Sequence, residues 1–228
     1  MLETARKIIA GEPVSIVFFG DSITQGHYEL NRDKTEYLRS DEVYHQLLHQ
    51  RILAEHPLAK IRILNAGVGG QTADRGLARI KNEVLDVGPD LCVTCFGLND
   101  VFFNKAHQYE KSMLGIFTAL KDAGIEGICL TPNQMNVTKT RAWGLLLQLF
   151  SMRTARRMND GSMDRFMDIA RRAAQANGIV IADGYAQWVR LRAQGQDVDA
   201  MLCNAINHPD AIGHRVLADI LYETMFET

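Results

Sequence analysis

The stretch "VSIVFFGDSITQG", from Val14 to Gly26, decides how the rest of the chain is read. A near-continuous apolar run closes on Gly20, and an acid and a serine follow at once, Asp21 and Ser22. Such a run, bounded by a glycine, fits a strand covered on both faces, as in a parallel sheet between helices. Four more runs of this kind follow: "IRILNAG" (61–67), "LCVTCFG" (91–97), "GICLTP" (127–132) and "IVIADG" (179–184). Between them the apolar residues recur at helical spacing. Ala73, Leu77, Ile80 and Val84 share one face, with Thr72 as N-cap; Tyr109, Met113, Ile116, Phe117 and Leu120 share another. Phe166, Met167, Ala170 and Ala173 form a third face, and Ile212, Val216, Ile220 and Leu221 the last. A first helix is expected over 42–55. Strand–helix alternation throughout predicts an α/β fold, a five-stranded parallel sheet sandwiched between helices.

The chain has 228 residues, of which 46% are hydrophobic, enough for one full core, so a single domain over 1–228 is expected. One segment breaks the alternation. Between "GICLTP" and the helix near 163 lies "RAWGLLLQLFSMRTARR" (141–157), apolar first and basic later. A structureless loop of that length is unusual in a compact domain. The segment 133–160 is therefore read as an inserted helix packed on the body, with a lid or a homodimer contact as alternatives.

Net charge of −2 gives no electrostatic case for nucleic acid as a partner. The apolar runs fall short of the ~18 residues a membrane-spanning helix needs, so stable membrane insertion is not expected. The opening "MLETARKIIAGEP" lacks the roughly 7–15 apolar residues of a signal peptide, and a cytoplasmic location is the expectation. Cys92 and Cys95 form a CxxC, but residues three apart on a strand point to opposite faces, and no second CxxC follows. They read as core fillers.

Ligands of such a sheet sit beyond the carboxyl ends of its strands. The residues placed there are Asp21-Ser22, the turn from Asn65 to Thr72 with Gly67, Gly69 and Gly70, then Gly97-Leu98-Asn99-Asp100; Asn207-His208-Pro209 precedes the last helix. A nucleophile, a general base and donors for an oxyanion are the inventory of acyl transfer. Each residue also has a plainer reading. Ser22 can cap a helix starting near Ile23, the glycines can serve tight turns, Asn99 can hold its own loop, and His208 can be a surface residue. His214 reads as an ordinary helix residue. A phosphate-binding loop does not fit, because five residues separate Gly20 from Gly26 and His27 stands where lysine is required. The G-x-S-x-G elbow does not fit either, since Thr24 takes the second glycine position.

The order of the blocks goes further. "GDSIT" near the start, "NAGVGGQT" after the second strand, "GLND" after the third and "HP" before the C-terminal helix together resemble the SGNH, or GDSL-type, esterase and lipase family along nearly the whole chain. The resemblance implies a flavodoxin-like three-layer α/β/α fold. It implies Ser22 as nucleophile and His208 as the base. It implies an oxyanion hole from the N–H of Ser22, the N–H of Gly70 and the side chain of Asn99. Asn99 suits that role because it donates without altering charge, and Gly70 because a side chain there would obstruct close approach of the backbone.

One position departs from the family pattern. An orienting aspartate is expected three residues before the histidine, where this chain has Ala205. Three arrangements remain: a Ser22–His208 dyad with the ring held by a backbone carbonyl, an upstream acid at Asp199 or Asp197, or Asp183 after the last strand. Asp210 is expected to serve the N-terminus of the last helix instead. The resulting expectation is a serine esterase acting on a small-molecule acyl or acetyl ester, with no cofactor and no metal. The rival reading is a catalytically impaired module that binds a carbohydrate or lipid.

Overall fold

The computed structural model of the chain describes residues 1–29, 36–38, 41–140 and 144–227. In chain order the elements are α1 (Glu3–Ile9), β1 (Pro13–Gly20), α2 (Ser22–Gln25), β2 (His27–Glu29), β3 (Glu36–Leu38), α3 (Tyr44–Glu55), β4 (Lys60–Gly67), α4 (Ala73–Ile80), β5 (Leu91–Cys95), α5 (Leu98–Phe103), α6 (Ala106–Asp122), β6 (Glu126–Thr131), α7 (Leu145–Asn159), α8 (Ser162–Ala176), β7 (Val180–Asp183), α9 (Gly184–Ala193) and α10 (Ala211–Phe226). All five predicted strands are present, within a few residues of the expected ends.

The five strands form one parallel sheet in the order β4-β1-β5-β6-β7. β2 and β3 make a separate antiparallel pair. The crossovers put α4, α6 and α8 on one face of the main sheet and α3 with α10 on the other. The central strands carry the core: Ile16, Val17, Phe18 and Phe19 of β1, Leu91 to Cys95 of β5 and Ile128 of β6 are all fully buried. Burial pushes the Cys92 thiol up to about 12 and that of Cys95 well above its ordinary value, so both stay protonated as small apolar fillers.

The strand order places the site. After β1 the chain steps out to β4, then crosses back over β1 to β5, so the crevice opens at the carboxyl ends of β1 and β5. Register sharpens this: Gly20 lies beside Gly67 on one side and Cys95 on the other. The segments leaving these residues, Asp21-Ser22, Val68 to Gln71, and Phe96 to Asn99, emerge side by side. Gly67 allows the close approach of α2, because a Cβ there would stand 2.2 Å from the Gln25 backbone nitrogen.

One local expectation changes. The single helical face predicted from Ala73 to Val84 is broken at Ile80. A π turn, Lys81–Leu85, follows and keeps Val84 fully buried. Within the segment 133–160 a helix runs from Leu145 to Asn159, packed on α5 and α8; residues 141–143 at its approach lie outside the described residues. Among the described residues, no helix is long and apolar enough to cross a membrane.

Candidate active site

Ser22 opens α2, a single turn, and it does not cap it. The cap is Asp21, whose carboxylate accepts the Ile23 N–H at 3.0 Å. Ser22 is thus free of capping duty, and its hydroxyl lies 3.0 Å from Nε2 of His208. The two residues are 186 apart in sequence.

His208 arrives on a loop that is held from within. The side-chain oxygen of Asn204 accepts the backbone N–H groups of Ile206, Asn207 and His208, at 3.0, 2.9 and 3.0 Å. Its amide donates to the side chain of Asn207 at 3.0 Å. Wrapping three N–H groups around one oxygen forces a tight bend, and Ala205 takes it up at φ +54°. From outside, Asn133 donates to the Asn207 carbonyl at 2.9 Å and the Asn136 N–H to the Ile206 carbonyl at 2.7 Å. Asp210 caps α10 through the Gly213 N–H at 2.9 Å, as expected.

The acids that sequence offered as partners of His208 are held by other groups. Asp199 accepts the N–H of Val137 and both the N–H and hydroxyl of Thr138, at 2.8, 2.9 and 2.5 Å. Asp183 takes a forked bond from Arg171 at 2.9 and 3.0 Å, and also caps α9. Burial works to raise the Asp183 carboxyl, but the Arg171 and Thr131 bonds outweigh it and hold it below its ordinary value. Asp197 accepts the Ala200 N–H at 3.3 Å. The position before His208 that the family fills with an acid carries only the Ala205 methyl.

Asn99 sits at the start of α5, just after Gly97, which adopts φ +142°. Its amide donates to the Gln71 carbonyl at 3.0 Å and to Asp21 at 3.3 Å. Beneath it lie two buried carboxyls. Burial pushes Asp21 up to about 7, against the Ile23 and Asn99 bonds and the charge of Arg79. Burial likewise raises Asp100 to about 7, against the Ala73 N–H, which reaches both its oxygens at 3.1 and 3.2 Å.

Gly70 adopts φ +72°, and a Cβ there would meet nothing within 4 Å. The turn therefore requires glycine for its backbone conformation, and no protein atom crowds the position. The turn is gripped on both sides. Gln25 accepts the Gly69 N–H at 2.6 Å, and Arg79 donates to the Gln71 side chain at 2.7 Å. Gln25 Oε1 lies 3.0 Å from His27 Nε2. Because that oxygen is already fixed as an acceptor by Gly69, His27 must be the donor and carries its proton on Nε2.

These residues line one cleft of about 580 Å³. Ser22, His208, Gly70 and Asn99 face it together, with Gln25, His27 and Asn207 as polar wall and Leu147 and Phe150 of α7 as apolar wall. The His27 and His208 ring centroids are 6.1 Å apart. Gln25, His27, Asn204 and Arg79 were not singled out from the sequence. Only Asn204 left a local signal there, an asparagine a few residues ahead of another at a turn.

The fold has solved relatives. An α/β hydrolase enzyme, LAE5, from the metagenome of Lake Arreo, Spain, superposes with a TM-score of 0.70 at 23% identity, covering 93% of this chain and 94% of its own. Axe2, an acetylxylan esterase from Geobacillus stearothermophilus, gives 0.70 at 20% identity over 94% and 95%. The acetyl xylan esterase AlAXEase gives 0.69 at 20% over 92% and 98%. A curated relative, the lipoprotein YqeF of Bacillus subtilis (strain 168), is 35% identical over 85 residues; the match spans 37% of this chain and 31% of that protein's length. The family model of the GDSL-like lipases and acylhydrolases matches residues 18–216, from the first strand into the last helix. The chain belongs to the GDSL-like lipase/acylhydrolase family, a family of carboxylic ester hydrolases.

Proposed function

We propose that the protein hydrolyses a carboxylic ester through an acyl-enzyme on Ser22. The observation that carries this reading is the 3.0 Å contact between Ser22 Oγ and His208 Nε2 at a cleft that Gly70 and Asn99 also line. Serine is a weak nucleophile at neutral pH and needs an adjacent base. For the hydroxyl to donate to Nε2, the His208 ring carries its proton on Nδ1. As Oγ attacks the ester carbon, Nε2 takes the hydroxyl proton. The developing oxyanion is met by the N–H of Ser22, the N–H of Gly70 and the Asn99 amide. The tetrahedral centre collapses, His208 returns the proton to the leaving alkoxide, and the alcohol departs. Water then repeats the sequence on the acyl-serine.

The Asn99 amide has two N–H groups, and in the free protein they bond Gln71 and Asp21. Offering one to an oxyanion means sharing or releasing the longer bond, the one to Asp21. That bond is the one a fixed donor can give up while Gln71 still holds the amide plane.

Of the acids that the sequence offered, we assign none as the orienting group of the base. Asp183, Asp197 and Asp199 have other partners, and Asn204 fixes the His208 backbone instead. Axe2 structures include catalytic mutants in which a serine and a histidine are replaced by alanine, which supports a serine–histidine pair in a protein of this fold.

For the substrate, the cleft's walls matter. Leu147 and Phe150 give an apolar side suited to an acyl chain longer than acetyl, while Gln25, His27 and Asn207 suit a polar alcohol. The acetylxylan esterase neighbours favour a second reading, in which the polar wall takes a sugar and the acyl group is acetyl. Turnover of p-nitrophenyl esters from acetyl to palmitoyl, with Ser22→Ala as control, tests both. Ser22-dependent turnover of any member supports the enzyme; a rise from acetyl to butyryl and hexanoyl supports the apolar acyl wall. No turnover of any ester would leave the non-catalytic binding module as the better reading.

A further inference from the structure

Arg79 stands in the last turn of α4, outside the lining of the cleft, with its side chain only 12% exposed. Its guanidinium reaches three separate segments of the site. Nη2 donates to the Gly20 carbonyl at 2.8 Å, Nη1 to the Ala66 carbonyl at 2.8 Å, and Nε to the Gln71 side chain at 2.7 Å. Glu83, one helical turn on, takes a further bond from Nη1. The ring of Phe19 lies below, 4.4 Å from the guanidinium carbon.

Those partners are not scattered. Gly20 is the last residue of β1 and leads into Asp21-Ser22. Ala66 is the neighbour of Phe19 across the β1–β4 ladder and leads into the Gly67–Gly70 turn. Gln71 follows Gly70 directly, and its carbonyl is the acceptor that holds the Asn99 amide at 3.0 Å. One planar cation therefore ties together the segments that carry Ser22 and Gly70, and through the Gln71 residue it reaches the third donor, Asn99. A turn whose glycine sits at φ +72° has no side chain of its own to fix it. Gln25 holds its near end through Gly69, and Arg79 holds its far end through Gln71.

We propose that Arg79 is a positioning residue for ester hydrolysis: its guanidinium locks the Gly69–Gln71 turn to the ends of β1 and β4 and so keeps the Gly70 N–H and the Asn99 amide aimed at the carbon that Ser22 attacks. The inference rests on the acyl-enzyme reading of Ser22. Preorganised donors act by being in place before charge develops, and a misplacement of about 1 Å can cost roughly 10² in rate. Lysine has the charge without the planar fork and cannot reach three acceptors in three directions.

The test compares Arg79→Lys, Gln71→Met, their double variant and Glu83→Gln, on p-nitrophenyl acetate, with active sites counted by the end-point of covalent labelling with a fluorophosphonate. Gln71→Met removes the side-chain acceptor and keeps the backbone carbonyl that holds Asn99. Arg79→Lys and Gln71→Met are each expected to lower kcat per labelled site roughly ten- to a hundredfold with KM within about twofold. The double variant is expected to add less than about threefold to the worse single, because both break one link. Glu83→Gln is expected to keep kcat within about twofold, although it loosens the same helix. A purely structural arginine would instead lower the melting temperature while leaving kcat per labelled site unchanged in Arg79→Lys. That result, or losses that multiply in the double variant, would overturn the inference. If Arg79→Lys does not fold, Gln71→Met carries the same expectation alone, and an unchanged kcat there is equally decisive. Failure of the acyl-enzyme reading is a different outcome, since it would show as wild-type turnover that survives Ser22→Ala.

Discussion

The side-chain oxygen of Asn204 accepts the backbone N–H of His208 at 3.0 Å, together with those of Ile206 and Asn207. A neutral amide thus builds the loop that delivers the histidine, at the place where the family pattern has a carboxylate one residue later. Asn204→Ala strands three buried or part-buried donors. We expect it to cost about 2–4 kcal/mol in stability and roughly tenfold or more in kcat. Chemical denaturation and steady-state kinetics check both. Asp199→Asn and Asp183→Asn, by contrast, are expected to lower kcat by less than tenfold in folded protein. A loss of several orders of magnitude in either would assign it as the orienting acid.

The Asn99 amide links Gln71 to Asp21 in the free protein, and one of its N–H groups is assigned to the oxyanion. Asn99→Ala removes that donor. The expected loss in kcat is about 10²–10³, with KM changed little. A variant that loses KM and keeps kcat would make Asn99 a ground-state binder.

Asp100 gives a stability signature in pH. Burial raises its carboxyl to about 7, above the ~4 expected of an unfolded chain. A carboxyl raised in the folded state contributes its full stability below the unfolded pKa and loses it as pH rises through the folded one. Wild-type stability should therefore fall between about pH 4 and pH 7 relative to Asp100→Asn, which keeps an oxygen for the Ala73 N–H. The relative gain of the variant should amount to a few kcal/mol, about 4 at most. Urea midpoints at pH 4, 5.5, 7 and 8 measure it, and parallel profiles would refute the assignment.

Leu147 sets the apolar wall of the cleft. Leu147→Ala is expected to lower kcat/KM for a hexanoyl ester several-fold to tenfold and to leave the acetyl ester nearly unchanged, as about 0.8 kcal/mol per buried methylene implies. An equal loss for both esters would mean that Leu147 supports the fold and does not touch the acyl chain.

The sheet was legible because its strands are covered on both faces and so read as unbroken apolar runs. Ser22, Gly70, Asn99 and His208 were legible because strand ends must converge, and each follows a strand or precedes the last helix. The grips on the Gly70 turn were not. Gln25 reaches Gly69 across 44 residues and Arg79 reaches Gly20 across 59, and neither spacing leaves a periodic trace. Arg79 reads in sequence as one more charged residue on a helix. The acids near His208 could not be ranked for the same reason: a carboxylate's partner is chosen by tertiary contact, and Asp199 and Asp183 bond Thr138 and Arg171. Asp21, read as part of a motif, supplies the cap that leaves the Ser22 hydroxyl to His208.

Every step of the proposed hydrolysis runs through Ser22 as the nucleophile. Peptide mass mapping after reaction with a fluorophosphonate tests it most directly. A single stoichiometric adduct on Ser22 is expected, lost in Ser22→Ala and strongly slowed in His208→Ala. An adduct on another residue, or none while ester turnover continues, would contradict it.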